Sequence, residues 1–180
     1  MCAPDEGRRE PVRFGSGTRY TRSVHAGEFT DEDFLRVLAR SGARVLLIGR
    51  RAMILLGAPV MTADYDVWVH IDDIGLLNRA FEELDHLPNR SAEQARQVGR
   101  YVLENGERVD VMVARAASAP DGLRLDFETA WSRRKELAIL PDVTVCVPCV
   151  EDLIITKRWG SRPKDIIDIQ FLEGLRRRGV

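Results

Sequence analysis

Asp64 and Asp66 stand two apart in the segment Thr62-Ala63-Asp64-Tyr65-Asp66-Val67-Trp68-Val69. Side chains on a strand alternate faces, so this spacing sets two carboxylates on one side. Such a pair repels itself unless positive charge lies between its members. Hard cations such as Mg²⁺ take oxygen ligands of this kind, usually one or two carboxylates plus substrate phosphates. Fifteen residues before Asp64, Gly49 ends the apolar run Val45-Leu46-Leu47-Ile48 and marks a place where a phosphate chain can approach the backbone. A third acid, Asp110, sits in Val109-Asp110-Val111, where Asp is a poor choice for a strand and costly if buried. On its own, Asp110 reads equally well as a solvent-facing residue paired with Arg108 or Arg100.

The elements that must position these groups alternate in type. Thr30-Asp31-Glu32-Asp33 has the form of a capping box and precedes Phe34, Leu35 and Leu38 at helical spacing, ending near Ser41-Gly42. A strand over 44–48, a helix over 51–56, a strand over 66–71 and a helix from Asp72 to about His86 follow. Asn105-Gly106 between two strand-like runs predicts a hairpin whose turn takes φ > 0 at both positions. In its second strand Val109, Val111 and Val113 share one face, and Arg108, Asp110 and Met112 the other. A helix over 126–134, strands over 136–140 and 143–147, and helices over 151–158 and 163–178 complete the pattern. This order predicts an α/β (α+β) fold with a mixed, partly antiparallel sheet and two C-terminal helices. Residues 1–28 lack periodicity and are expected to form a flexible arm ahead of one domain over 29–180, helical from about 150.

Composition bounds the function. The chain has 180 residues, 44% hydrophobic and 31% charged, enough for one domain with a real core. Its net charge of −1, from 27 basic and 28 acidic residues, argues against coating nucleic acid through bulk charge. The basic clusters Arg133-Arg134-Lys135 and Arg176-Arg177-Arg178 read as helix ends. The longest apolar run, 52–61, is too short for a membrane span and contains Gly57 and Pro59. Residues 1–22 hold no apolar segment of the secretory kind, so a cytoplasmic location is expected. Cys146-Val147-Pro148-Cys149 closes a strand where a redox pair would open a helix, so buried or capping thiols are expected there.

The ordered set of motifs resembles the nucleotidyltransferase superfamily that shares a fold with DNA polymerase β. That signature is an apolar strand, a Gly followed by a small residue, an Asp-x-Asp, and later an acid bracketed by apolar residues. Here it reads Ile48-Gly49-Arg50, Asp64-Tyr65-Asp66 and Val109-Asp110-Val111. The likeness is closer to the abortive-infection toxin-type branch and its small stand-alone relatives. It rests on Gly49-Arg50-Arg51-Ala52, on Gly57-Ala58-Pro59-Val60-Met61-Thr62 before the acids, and on Lys157 followed by Arg162-Pro163-Lys164-Asp165-Ile166-Ile167-Asp168. The resemblance spans about residues 30 to 175.

It implies transfer of a nucleoside monophosphate from a nucleoside triphosphate to an acceptor, with release of pyrophosphate. Asp64, Asp66 and Asp110 would be the catalytic carboxylates and hold two Mg²⁺ or Mn²⁺ ions. Gly49, Arg50, Arg51, Thr62, Lys157 and Lys164 would form the nucleotide side of the site. Two positions depart from the pattern. Arg50 stands where the family has Gly or Ser, to bind phosphate or to fill the pocket and neutralise the carboxylates. Val60 replaces the family's Arg two residues before Thr62. The alternative is therefore a catalytically weak or inactive module that binds a nucleotide, an RNA or a protein. Acceptors implied by the resemblance are a tRNA, a protein hydroxyl, or a small molecule such as an aminoglycoside or lincosamide. Tyr101, Trp68, Trp131 and Trp159 would either line a small-molecule cleft or belong to the core.

Overall fold

Valines at alternate strand positions give the central sheet a continuous apolar face. In the computed structural model, which describes residues 29–115, 117–118, 122–160 and 162–179, that face is the main core. The expected N-terminal arm lies outside the described residues. Helix α1 (Asp31–Arg40) starts at the Thr30–Asp33 capping box and packs Phe34, Val37 and Leu38 inward. Strand β1 (Val45–Leu47) leads into α2 (Gly49–Leu55), then β2 (Tyr65–Val69), α3 (Ile74–Glu82) and β3 (Leu87–Pro88). Helix α4 (Ala92–Val98) precedes the paired strands β4 (Arg100–Asn105) and β5 (Glu107–Val113).

These five strands form one sheet in the order β1-β2-β5-β4-β3. β2 and β5 run parallel and the other neighbours are antiparallel, which makes the sheet mixed. Beyond it come the ribbon of β6 (Ala117–Ser118) and β7 (Arg124–Leu125), helix α5 (Phe127–Ser132), and the ribbon of β8 (Lys135–Leu140) and β9 (Val143–Val147). Helices α6 (Val150–Gly160) and α7 (Pro163–Arg177) end the chain. No helix among the described residues is long and apolar enough to cross a membrane.

Val67, Val69, Val109, Val111 and Val113 share the main core with α1 and α3. The opposite face is covered along part of its length. There Leu46, Ile48 and Trp68 pack with Phe127 and Ala130, and Trp68 meets Phe127 and Trp159 edge-on at 5.1 and 5.2 Å. The uncovered remainder of this face is where the carboxylates stand.

Three local features differ from the sequence reading. β3 and α4 occupy a stretch with too little apolar periodicity to announce them, since α4 buries only Ala95. A second capping box, Ser91 with Gln94, starts α4, and Gly99 ends it at φ +84°. In the β4–β5 hairpin, Asn105 pairs with Glu107 and Gly106 alone sits at the tip with φ +75°. Asp85 is the one described non-glycine residue with positive φ, so Asn105 does not take the left-handed form of a two-residue turn.

Candidate functional site

The end of β1 lies against β2 through a hydrogen bond from Ile48 N–H to the Asp66 carbonyl (3.0 Å). Gly49 follows at φ +69°, a conformation that favours glycine. A Cβ built there would stand 2.9 Å from Cγ of Asp66 and overlap its carboxylate, so only glycine fits. Across the parallel pair, Asp66 is level with Asp110, and registered residues on neighbouring strands share a face. Asp64 precedes β2 and is exposed. Asp66 is driven above the ordinary carboxylate range, first by burial and then by the charges of Asp64 and Asp110; Lys157 and Arg162 act in the opposite sense. The fold thus brings the acids into one electrostatic neighbourhood.

Asp66 and Asp110 lie on the wall of a cleft of about 670 Å³ bounded by Gly49, Tyr101, Lys157, Trp159 and Arg162. Lys157 is buried, where a solvated helix face would have left it exposed. Its Nζ donates to Asp168 Oδ2 at 2.7 Å, and Asp165 lies 3.9 Å away. Arg50 Nε donates to the same Asp168 oxygen at 3.1 Å, so Arg50 neither lines the cleft nor caps Asp66 or Asp110. Burial alone would raise the Asp168 carboxyl, but the hydrogen bonds from Arg50 and Lys157 outweigh it and hold it low. Arg162 Nε donates to buried Asp165 at 3.0 Å. Asp165, Asp168 and Arg162 were not singled out as site residues, although they lie in the Arg-Pro-Lys-Asp motif. For Asp165 and Asp168 the signal is burial, which a helix of even polarity does not reveal; Arg162 is exposed and is marked only by its ion pair with Asp165.

The remaining site candidates scatter. Arg51 Nε donates to the Asp64 carbonyl at 2.9 Å, and its guanidinium lies 3.6 Å over the Tyr65 ring and pairs with Asp31. Thr62 Oγ1 accepts from Asp64 N–H at 3.1 Å. Both shape the loop that carries Asp64 and neither lines the cleft. Lys164 Nζ is 3.9 Å from Asp64, between two exposed side chains. Asp110 accepts from Arg108 Nη2 at 2.7 Å. Tyr101 and Trp159 border the cleft, whereas Trp68 and Trp131 belong to the smaller core. Cys146 and Cys149 are free thiols. Burial pushes both up, Cys149 to about 11, so neither is a ready thiolate at neutral pH.

As a fold, the chain is similar to the antibiotic-resistance factor ANT(2'')-Ia, whose solution structure matches with a TM-score of 0.54 and 18% identity over 78% of each chain. The crystal structure of ANT(2'')-Ia in complex with adenylyl-2''-tobramycin matches with a TM-score of 0.53 and 17% identity, over 78% of this chain and 83% of that one. The fold is nucleotidyltransferase-like. No protein-family model matches the chain, and no curated protein does. In this nucleotidyltransferase-like frame, Gly49 follows the end of β1, Asp66 stands near the start of β2, and Asp110 is level with it in the middle of β5, at the open part of the sheet.

Proposed function

We propose that the chain is a cytoplasmic, divalent-metal-dependent nucleotidyltransferase that moves a nucleoside monophosphate from a nucleoside triphosphate to an acceptor hydroxyl. One observation carries the reading: Gly49 is pressed onto Asp66, with Asp110 level on the next parallel strand, beside an open cleft. Lys157 and the Arg162 to Asp168 segment support placing it near the abortive-infection toxin-type branch.

The donor set suits Mg²⁺ or Mn²⁺ in chemistry, being hard carboxylate oxygen, and in charge, since burial first and then its acidic neighbours push the Asp66 carboxyl upward. Among the described residues no three such groups stand close enough to hold one ion. Asp110 is turned to Arg108 and Asp64 faces Lys164, and both pairs are exposed. Exposed ion pairs are worth about 0–1 kcal/mol, so releasing these carboxylates to a doubly charged ion costs little. Asp64, Asp66 and Asp110 would hold the metal, which when bound supplies neutralising charge to the phosphates.

The chain's own groups do the rest. Gly49 borders the cleft with no side chain of its own, and the Lys157–Arg162 side, where Arg50, Lys157 and Arg162 outnumber Asp165 and Asp168, would balance the charge of the phosphate chain. The acceptor oxygen attacks the α-phosphorus and a new P–O bond forms. The bond from that phosphorus to the bridging oxygen breaks, and its electron pair leaves with pyrophosphate. The hydroxyl proton passes to Asp110 and then to water. Adenylylated tobramycin in ANT(2'')-Ia makes an aminoglycoside one candidate acceptor; a tRNA or a protein hydroxyl is another.

The test is magnesium-dependent pyrophosphate release from each of the four nucleoside triphosphates, with candidate acceptors supplied. Release that is lost in D66N supports the proposal; none with any triphosphate overturns it. The Arg108–Asp110 pair favours a second reading, a binding module whose third carboxylate is permanently neutralised. Triphosphate binding that needs no metal and survives D66N would favour that reading.

A further inference from the structure

The cleft has two flanks, and the acids divide them. On one side lie Gly49, Lys157 and Arg162; on the other, beyond Asp110, lie β4 and the residues that follow β3. Register fixes what faces the cleft there. Val102 of β4 is level with Asp110, and Arg100, two residues earlier, shares its face. Asn89 is fastened to Val102 by two hydrogen bonds of 2.9 Å: its N–H donates to the Val102 carbonyl, and its side-chain Oδ1 accepts from the Val102 N–H. This holds Arg90 beside Arg100, whose carbonyl accepts from Arg90 Nη1 at 3.4 Å. Neither guanidinium pairs with a carboxylate among the described residues, whereas Lys157 and Arg162 are committed to Asp168 and Asp165. Asp66 and Asp110 are the carboxylates of the cleft lining among the described residues, and metal binding would use both. The lining then offers no free carboxylate to a polycationic acceptor, and two guanidiniums without a carboxylate partner among the described residues border the place where an acceptor must lie.

We propose that the acceptor is an organic phosphate with a free hydroxyl, its phosphate held by Arg90 and Arg100 so that the hydroxyl reaches Asp110. The inference rests on the nucleotidyl-transfer reading for the orientation of the cleft. Arginine matches phosphate geometry through paired N–H donors, and such charge-assisted bonds are about twice as strong as neutral ones. The group transfer is the one written above, with pyrophosphate leaving and the hydroxyl proton going to Asp110.

The test is calorimetric titration at low salt with ribose 5-phosphate, a tetraribonucleotide, ribose and tobramycin. At least one phosphate probe is expected to bind the wild type, and which one binds separates a small acceptor from a nucleic-acid end. Ribose and tobramycin are expected not to bind. Each arginine removed should weaken binding by roughly tenfold or more. R90A/R100A therefore loses measurable binding, and R90K/R100K, which keeps charge without the fork, recovers part of it. Unchanged melting temperature checks the fold, and R100Q alone serves if the double variant does not fold. The inference is overturned if neither phosphate probe binds, if R90A/R100A or R100Q binds as wild type, or if tobramycin binds as tightly as the phosphates. Pyrophosphate release separates the two failures. Magnesium-dependent release without phosphate-probe binding sinks only the acceptor class. Arginine-dependent phosphate binding without release, across all triphosphates and both phosphate probes, sinks the transfer reaction.

Discussion

Asp66 works against the stability of its own fold. Its folded-state pKa is raised above the ordinary value of 3.8 by burial and by Asp64 and Asp110. The folded chain therefore holds that proton more tightly than the unfolded chain does. Ionisation above the ordinary value costs stability, and the cost is complete once pH passes the raised value. At neutral pH the D66N variant is expected to melt higher than wild type in metal-free buffer, while pyrophosphate release falls roughly a hundredfold or more. A lower melting temperature would show that Asp66 is held by a partner and is not a strained ligand. Arg108 tests the same electrostatics from the other side. Its removal frees Asp110, so R108A should reach half-maximal activity at a lower magnesium concentration. An unchanged magnesium requirement would mean that Asp110 does not hold metal. G49A is the third residue-scale case. Its Cβ overlaps the Asp66 carboxylate at a positive φ, so activity and melting temperature should both fall.

Buried charge ties the C-terminal helices to the site. Asp168 on α7 takes hydrogen bonds from Lys157 on α6 and Arg50 on α2, with its own side chain fully enclosed. Removing Asp168 leaves the buried Lys157 with only Asp165, 3.9 Å away, at a cost of up to about 3–5 kcal/mol. D168N is therefore expected to lower the midpoint of urea unfolding sharply, whereas D168N/K157M should recover part of the loss by removing the stranded ammonium. Because Asp168 is held below its ordinary value, its contribution is present above pH 3.8 and disappears in more acid solution. The wild type should lose more stability there than D168N does. This network also shows what was readable from the chain. Asp64-x-Asp66, Gly49 and Asp110 announced themselves because an acid or a glycine breaks the strand pattern around it. Lys157 was expected at the site through the resemblance alone, and Asp168 was given no role, since polar residues on a helix look solvated until the neighbouring helix is known. Arg50 was read as facing phosphate or the carboxylates, and the choice it made depended on a residue 118 positions away.

At the scale of the molecule, the mixed sheet, the two-sided core and the helical C-terminus follow from valine alternation and capping signals, while β3 and α4 escaped for want of apolar periodicity. The sheet spends one face on burial and leaves the end of the other open at Asp66 and Asp110. Such a design stores repulsion that Lys157 and Arg162 offset only in part, so ligand binding and stability should be coupled. Triphosphate at ~100 times its Kd stabilises by about 2.7 kcal/mol if it binds only the folded chain. For a chain of this size each kcal/mol moves the melting temperature by about 2–4 °C, so a rise of about 5–10 °C is expected with triphosphate and Mg²⁺ together. Neither alone should give it, because triphosphate without metal would meet the acids of the cleft and metal without triphosphate would lack the phosphate oxygens it prefers as ligands. D66N, already relieved of the repulsion, should begin from a higher melting temperature and show no further rise. A rise of equal size with triphosphate alone would place the phosphates on the cationic flank without metal, and the cleft would then be a binding site whose acids take no part.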